Sequence, residues 1–185
     1  MNAVIRNANK HFITIDEWQK FGEFGLFQHF ELIEGEIIEM APIGFKHSGH
    51  LNRLNALFNF LTYNRAIVSV QNPVQLGRFS EPEPDLMLLK PNADFYSSRH
   101  PQADDVLLLV EVSDSTLLFD QTEKMQFYAK HKIPEYWILN LQASCLEVYR
   151  QPCLRGYKEK HELDIGETIS LLAFEDLCVN VKDLF

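Results

Sequence analysis

Apolar residues recur at two different periods along this chain of 185 residues, and the changes of period mark out its elements. An amphipathic opening spans 14–24. Thr14 stands three residues ahead of Glu17 there, the spacing of a capping box in which each residue satisfies a backbone donor of the other. The run 30–40 predicts a tight hairpin that turns at Glu34-Gly35. Leu51, Leu54, Leu57, Phe58 and Leu61 then return at helical spacing, so 47–63 reads as a helix with one buried face. Projected back one turn, that face carries His47.

Strand patterns follow. The stretch 66–76 is rich in Val and Ile, and 85–89 is a short apolar run entered through Pro82 and Pro84. The segment 106–112 (VLLLVEV) is so continuously apolar that it predicts a strand in the middle of a sheet, covered on both faces. A helix is expected over 120–131, with Asp120 and Glu123 as a second capping pattern and Pro134 at its exit. Strands at 136–139 and 145–149 come next, then further short strands around a turn at Gly166. This order implies a mixed sheet flanked by helices. With no repeat and no linker, residues 1–13 read as a tail and 14–185 as a single domain.

Composition narrows the class. At 46% hydrophobic and 23% charged, the chain is ordinary globular protein. No apolar stretch approaches the ~18–20 residues of a membrane span, and the opening MNAVIRNANK lacks a signal-peptide pattern, so a cytoplasmic protein without membrane contact is expected. Cys145, Cys153 and Cys178 form no CxxC pair and read as reduced thiols. The net charge of −9 argues against nonspecific coating of nucleic acid, which relies on Lys and Arg. It is compatible with an acidic cleft neutralised by bound cations.

The most informative residue is Glu111, a charge inside the most hydrophobic segment. Isolating a carboxylate there costs several kcal/mol unless it is paired or bound to a cation. The competing reading for Glu111 alone places it just past the buried part of its strand. Asp85 shifts the odds, because it opens a second apolar strand behind Pro84, and two acids at corresponding ends of neighbouring strands suit magnesium. By itself Asp85 could equally cap the Pro84 bend. Asp120, Lys124 and Tyr128 stack along one face of the 120–131 helix, where Lys124 would offset charge in a phosphoryl transition state. From spacing alone, a surface Asp120–Lys124 pair is the favoured reading.

Pro84-Asp85 followed by Glu111-Val112-Ser113 resembles the PD…(D/E)xK signature of restriction-endonuclease-like proteins, with Ser113 where the superfamily has its lysine. A wider ordered set is similar to the Uma-type branch of that superfamily. It comprises Phe30-Glu31-Leu32-Ile33-Glu34-Gly35-Glu36, Ala41-Pro42 with His47, Ser115-Thr116, Asp120 with Lys124 and Tyr128, and Ile133-Pro134-Glu135-Tyr136-Trp137. In that branch the lysine lies on the following helix, which maps it to Lys124. The resemblance covers residue 14 to the C-terminus. It implies an α/β, restriction-endonuclease-like mixed β-sheet flanked by helices, with an N-terminal β-hairpin. It further implies an endonuclease that hydrolyses DNA with Mg²⁺, Mn²⁺ being able to substitute. The metal would be held by Asp85, Glu111 and the carbonyl of Val112, and Lys124 would complete the catalytic set.

Around that set Glu36, His47, Ser113, Asp120 and Tyr128 are expected to line the cleft. Any of Glu31, Glu34 and Glu36 could reach the metal, Glu36 being the one that matches the branch. Double-strand cutting would call for a symmetric homodimer. Two rival readings stand beside this one. An inactive nuclease fold used for DNA binding or regulation is favoured by Ser113 and the acidic charge. A histidine-based metallohydrolase would use His47 and His50. The basic, aromatic stretch 149–160 suits either phosphate contacts or a solvated hairpin.

Overall fold

The structure, a computed structural model, describes residues 11–23, 29–40 and 42–185. Helix α1 (Ile15–Glu23) starts at the predicted cap: the Thr14 N–H donates to Glu17 Oε2 at 2.9 Å and the Glu17 N–H to Thr14 Oγ1 at 3.3 Å. Phe24, the expected end of that element, lies outside the described residues. Strands β1 (Phe30–Ile33) and β2 (Glu36–Glu39) form the hairpin, with Glu34 and Gly35 both at positive φ in its turn. Helix α2 (Phe45–Thr62) buries Leu51, Leu54 and Phe58, the stripe its spacing predicts.

Strand β3 (Ile67–Val70) is shorter than its Val/Ile content suggests. At Gln71 the backbone turns to φ 48° and leaves the sheet. Val74 and Leu76 bond instead to the carbonyls of Pro82 and Ser80. Strands β4 (Leu86–Leu89) and β5 (Val106–Ser113) follow. The next helical stretch differs from expectation. It opens as α3 (Leu117–Phe119), passes through a π turn (Asp120–Lys124) and continues as α4 (Met125–Lys130). Asp120 therefore sits inside the helix rather than capping it, because its carboxylate accepts from Ser113 Oγ at 2.5 Å and Thr116 Oγ1 at 2.7 Å.

Strands β6 (Glu135–Asn140), β7 (Cys145–Cys153) and β8 (Gly156–Leu163) complete a six-stranded sheet of order β3-β4-β5-β6-β7-β8. Only β5 and β6 run parallel. A parallel pair needs a crossover, and the α3–α4 stretch supplies it. The end of β5 thus leads, through residues 114–116, into the helical stretch that carries Lys124. Strands β9 (Thr168–Leu171) and β10 (Phe174–Asn180) make a separate hairpin. Glu135 ties it to the sheet, accepting from Arg150 Nε at 2.8 Å and from the Leu172 N–H at 2.8 Å.

Alternation on the central strands divides the core in two. Leu86, Leu88, Leu108, Val110 and Val112 face α2 and the C-terminal hairpin, while Met87, Leu89, Leu109, Tyr136 and Ile138 face Phe127 and Tyr128 of α4. Covered on both sides, β5 is as central as its unbroken apolar run requires. The aromatic, basic stretch is the β7–β8 hairpin, with Tyr149 and Tyr157 packed on Tyr136. No helix among the described residues is long and apolar enough to cross a membrane.

Gly35 holds the hairpin against the segment before α1. Its φ is +80°, and a Cβ there would lie 2.7 Å from the Phe12 Cβ. Gly35→Ala should therefore cost about 1–3 kcal/mol in urea unfolding. An unchanged midpoint would mean that the approach of Phe12 is not fixed.

Candidate functional site

The register of β4 and β5 sets Asp85 and Glu111 side by side. Leu86 pairs with Val110, so the residue before β4 comes opposite Glu111. The Asp85 N–H reaches Glu111 Oε2 at 3.4 Å, and the Val112 N–H donates to Asp85 Oδ2 at 2.8 Å. Across the cleft, His47 in the first turn of α2 brings Nε2 to 2.9 Å from Asp85 Oδ2. Gln71 holds Asp85 from the other side: its N–H donates to the Asp85 carbonyl at 3.1 Å and its Nε2 to Asp85 Oδ1 at 3.4 Å.

Glu111 is anchored at one oxygen. Lys124 Nζ donates to Oε1 at 3.0 Å and Tyr128 OH to the same atom at 2.8 Å. The face that stacks Asp120, Lys124 and Tyr128 thus points at the end of β5, and the π turn spans its first two members. π turns of this kind recur at functional sites. Each central carboxylate is therefore firmly held through one oxygen. Among the described residues the other oxygens, Asp85 Oδ1 and Glu111 Oε2, meet donors only at 3.4 Å.

Burial and crowding shape the charges. Burial, aided by the charges of Asp85, Asp120 and Glu31, pushes the Glu111 carboxyl up to about 8 against the pull of Lys124. Burial works against the charged form of Lys124 too, but Glu111, Glu31 and Asp120 outweigh it and hold the ammonium above the usual lysine range. Asp120 is raised by burial, despite Lys124 and the Ser113 and Thr116 hydroxyls. The hydrogen bond with Asp85 raises His47, and burial raises Glu83, helped by the neighbouring charges of Glu31 and Glu81.

These groups border a cavity of about 760 Å³. Among the described residues its lining carries the carboxylates of Glu31, Glu39, Glu83, Asp85, Glu111, Asp114 and Asp120 against the ammonium groups of Lys46 and Lys124. Val112, His47 and Asp120 border it. Ser113 and Tyr128 lie one layer behind, fully buried, the first on Asp120 and the second on Glu111. Glu36 is a correction: it is exposed on β2 and outside the cavity lining.

The hairpin acid that does enter is Glu31, 4% exposed, with Oε1 3.6 Å from Lys124 Nζ. Its signal was available, since Glu31, like Glu111, is a charge within an apolar strand. Gln71 gave no such sign, because only the turn out of β3 brings it to Asp85. His50 turns away, its Nδ1 2.8 Å from the Lys46 carbonyl oxygen, so the two histidines do not converge. Zinc would need three or four side-chain ligands, and no such group of His, Cys, Asp or Glu gathers among the described residues.

A family model described as "Putative restriction endonuclease" matches residues 18–182. A crystal structure described as a putative nuclease belonging to DUF820 from Anabaena variabilis superposes with a TM-score of 0.69 at 19% identity, covering 94% of this chain and 97% of that one. At that identity the likeness establishes the fold, a restriction-endonuclease-like mixed sheet. Comparison with curated proteins finds no match.

The raised Glu111 carboxyl sets a pH dependence. The native state binds this proton more tightly than the unfolded chain. Its stabilisation is therefore complete below about 4.5 and is lost as pH rises through about 8. In EDTA, wild type should lose stability relative to Glu111→Gln across that interval in urea unfolding. Parallel pH profiles for the two proteins would show that Glu111 titrates as an ordinary carboxylate.

Proposed function

Starting from the membership of this chain in the Uma2 family of putative restriction endonucleases, we propose that it is a metal-dependent endonuclease hydrolysing DNA phosphodiester bonds. The observation that carries this reading is the meeting of Asp85, Glu111 and Lys124 at the mouth of the central strands.

The donor set suits Mg²⁺, with Mn²⁺ as a substitute. Magnesium binds through one or two carboxylates and keeps water and phosphate oxygens for the rest of its shell. Among the described residues, Asp85 Oδ1 and Glu111 Oε2 are the oxygens whose donors stand at 3.4 Å. The carbonyl of Val112 is the third donor in this proposal. In an extended strand a residue's N–H and C=O project to the same edge, and the Val112 N–H already points at Asp85. Bound there, the ion supplies Lewis acidity that polarises a phosphate oxygen and lowers the pKa of water.

The protein groups have separable tasks. Lys124 and Tyr128 fix Glu111 through Oε1, and Val112 and His47 fix Asp85 through Oδ2, so neither carboxylate must reorganise when a ligand arrives. Because its carboxylate neighbours keep Lys124 protonated, it acts as a donor to developing negative charge and not as a base. The inactive-fold alternative rests on Ser113 standing where the superfamily has its lysine. Lys124, 3.0 Å from Glu111, supplies that cation from the neighbouring helix, which favours the active reading.

Two variants separate metal binding from chemistry. Lys124→Met should lower kcat by about 100–1,000-fold with divalent-metal affinity nearly unchanged, as for loss of one transition-state donor. Undiminished cleavage of DNA by the purified variant would return Lys124 to a structural role. Metal at about 100 times its Kd should stabilise wild type by about 2.7 kcal/mol. Asp85→Asn should lose most of that gain, and an equal rise in Tm in both proteins would place the ion elsewhere.

A further inference from the structure

The rim of the cavity differs from its floor. Ile43 and Phe45, at the entry to α2, are 48% and 88% exposed and border the same cavity as Asp85 and Glu111. Phe119, at the end of α3, is another apolar member of the lining. Water-exposed apolar surface beside a polar centre marks a place where a ligand supplies the missing cover.

The floor is recessed. The side chains of Glu111 and Lys124 are only 4% and 11% exposed. A phosphate in intact duplex DNA lies on the outside of a stiff rod whose bases are stacked away from solvent, so that rod offers an apolar rim nothing to match. An unpaired strand differs in both respects. It can bend a phosphate inward, and each of its bases has a free π-face for an aromatic side chain. Charge points the same way. The acidic lining gives little of the phosphate neutralisation that drives duplex binding, so affinity must come largely from contacts that do not depend on it.

We propose that the cleft takes an unpaired DNA strand, with a base stacked on Phe45, Lys46 beside the backbone and the scissile phosphate on the floor at Asp85 and Glu111. This rests on the nuclease reading above and narrows its substrate. One centre suffices to cut an unpaired strand, so the reaction does not require a dimer.

The test is fluorescence anisotropy with a fluorescein-labelled oligonucleotide, single-stranded or annealed to its complement, with Ca²⁺ replacing Mg²⁺. Wild type should prefer the single strand by about tenfold or more. Phe45→Ala should weaken single-strand binding by between about 5-fold and 150-fold, the range for losing one base–aromatic stack. Phe45→Trp should retain it. Since Phe45 is exposed, the Tm of both variants should match wild type, so a loss of binding reports the contact and not the fold. Equal or tighter duplex binding, or unchanged single-strand affinity in Phe45→Ala, would overturn this inference and leave the nuclease reading standing. Failure to bind or cut either form would remove both.

Discussion

The structure depends on one costly placement, a carboxylate in the middle of its most apolar strand. Glu111 is 3% exposed on β5, flanked by Val110 and Val112, in surroundings where an isolated charge would cost several kcal/mol. Much of the architecture answers that cost. The crossover after β5 returns Lys124 and Tyr128 to Glu111 Oε1, and the N-terminal hairpin adds Glu31 on the far side of the lysine. The result is not a closed ion pair. Glu31, Glu111 and Asp120 act on the buried Lys124 ammonium while Asp85 adds its charge beside Glu111, and an excess of carboxylates of that kind favours either proton uptake or a bound cation.

The position of the lysine has a packing explanation. Residue 113 shares a strand face with Glu111 and is fully buried, its hydroxyl donating to Asp120. A lysine there would have to displace Asp120 and the start of the π turn. Placing the cation one helical step later leaves room for Asp120 to accept from Ser113 and Thr116, which fixes the turn that presents Lys124. The serine that looks like a defect in the motif is part of the support for its replacement.

Much of this was legible in the sequence because the relevant signals are local or strongly periodic. The hairpin turn at Glu34-Gly35, the cap at Thr14, the buried stripe of α2 and the central position of β5 follow from spacing and composition. Other features were hidden for physical reasons. The spacing predicts a helix beginning at Asp120, because an acid three residues ahead of Glu123 looks like a cap. Its carboxylate is instead consumed by hydroxyls from β5 and the loop, which is a tertiary effect. Motif resemblance points to Glu36 ahead of Glu31, whereas the hairpin's docking against the Ser80–Glu81 segment decides which acid turns inward. Gln71 meets Asp85 only because β3 ends early, and no periodicity reports that.

On this reading, Asp85 and Glu111, paired at the ends of neighbouring strands, form a cation site and do not merely satisfy one another. Anomalous diffraction at the manganese edge from crystals soaked in Mn²⁺ tests it most directly. A peak is expected between the Asp85 and Glu111 carboxylates and the Val112 carbonyl, with Lys124 still on Glu111. No peak there in crystals of a protein that cleaves DNA with Mn²⁺, or a peak at His50 instead, would contradict it.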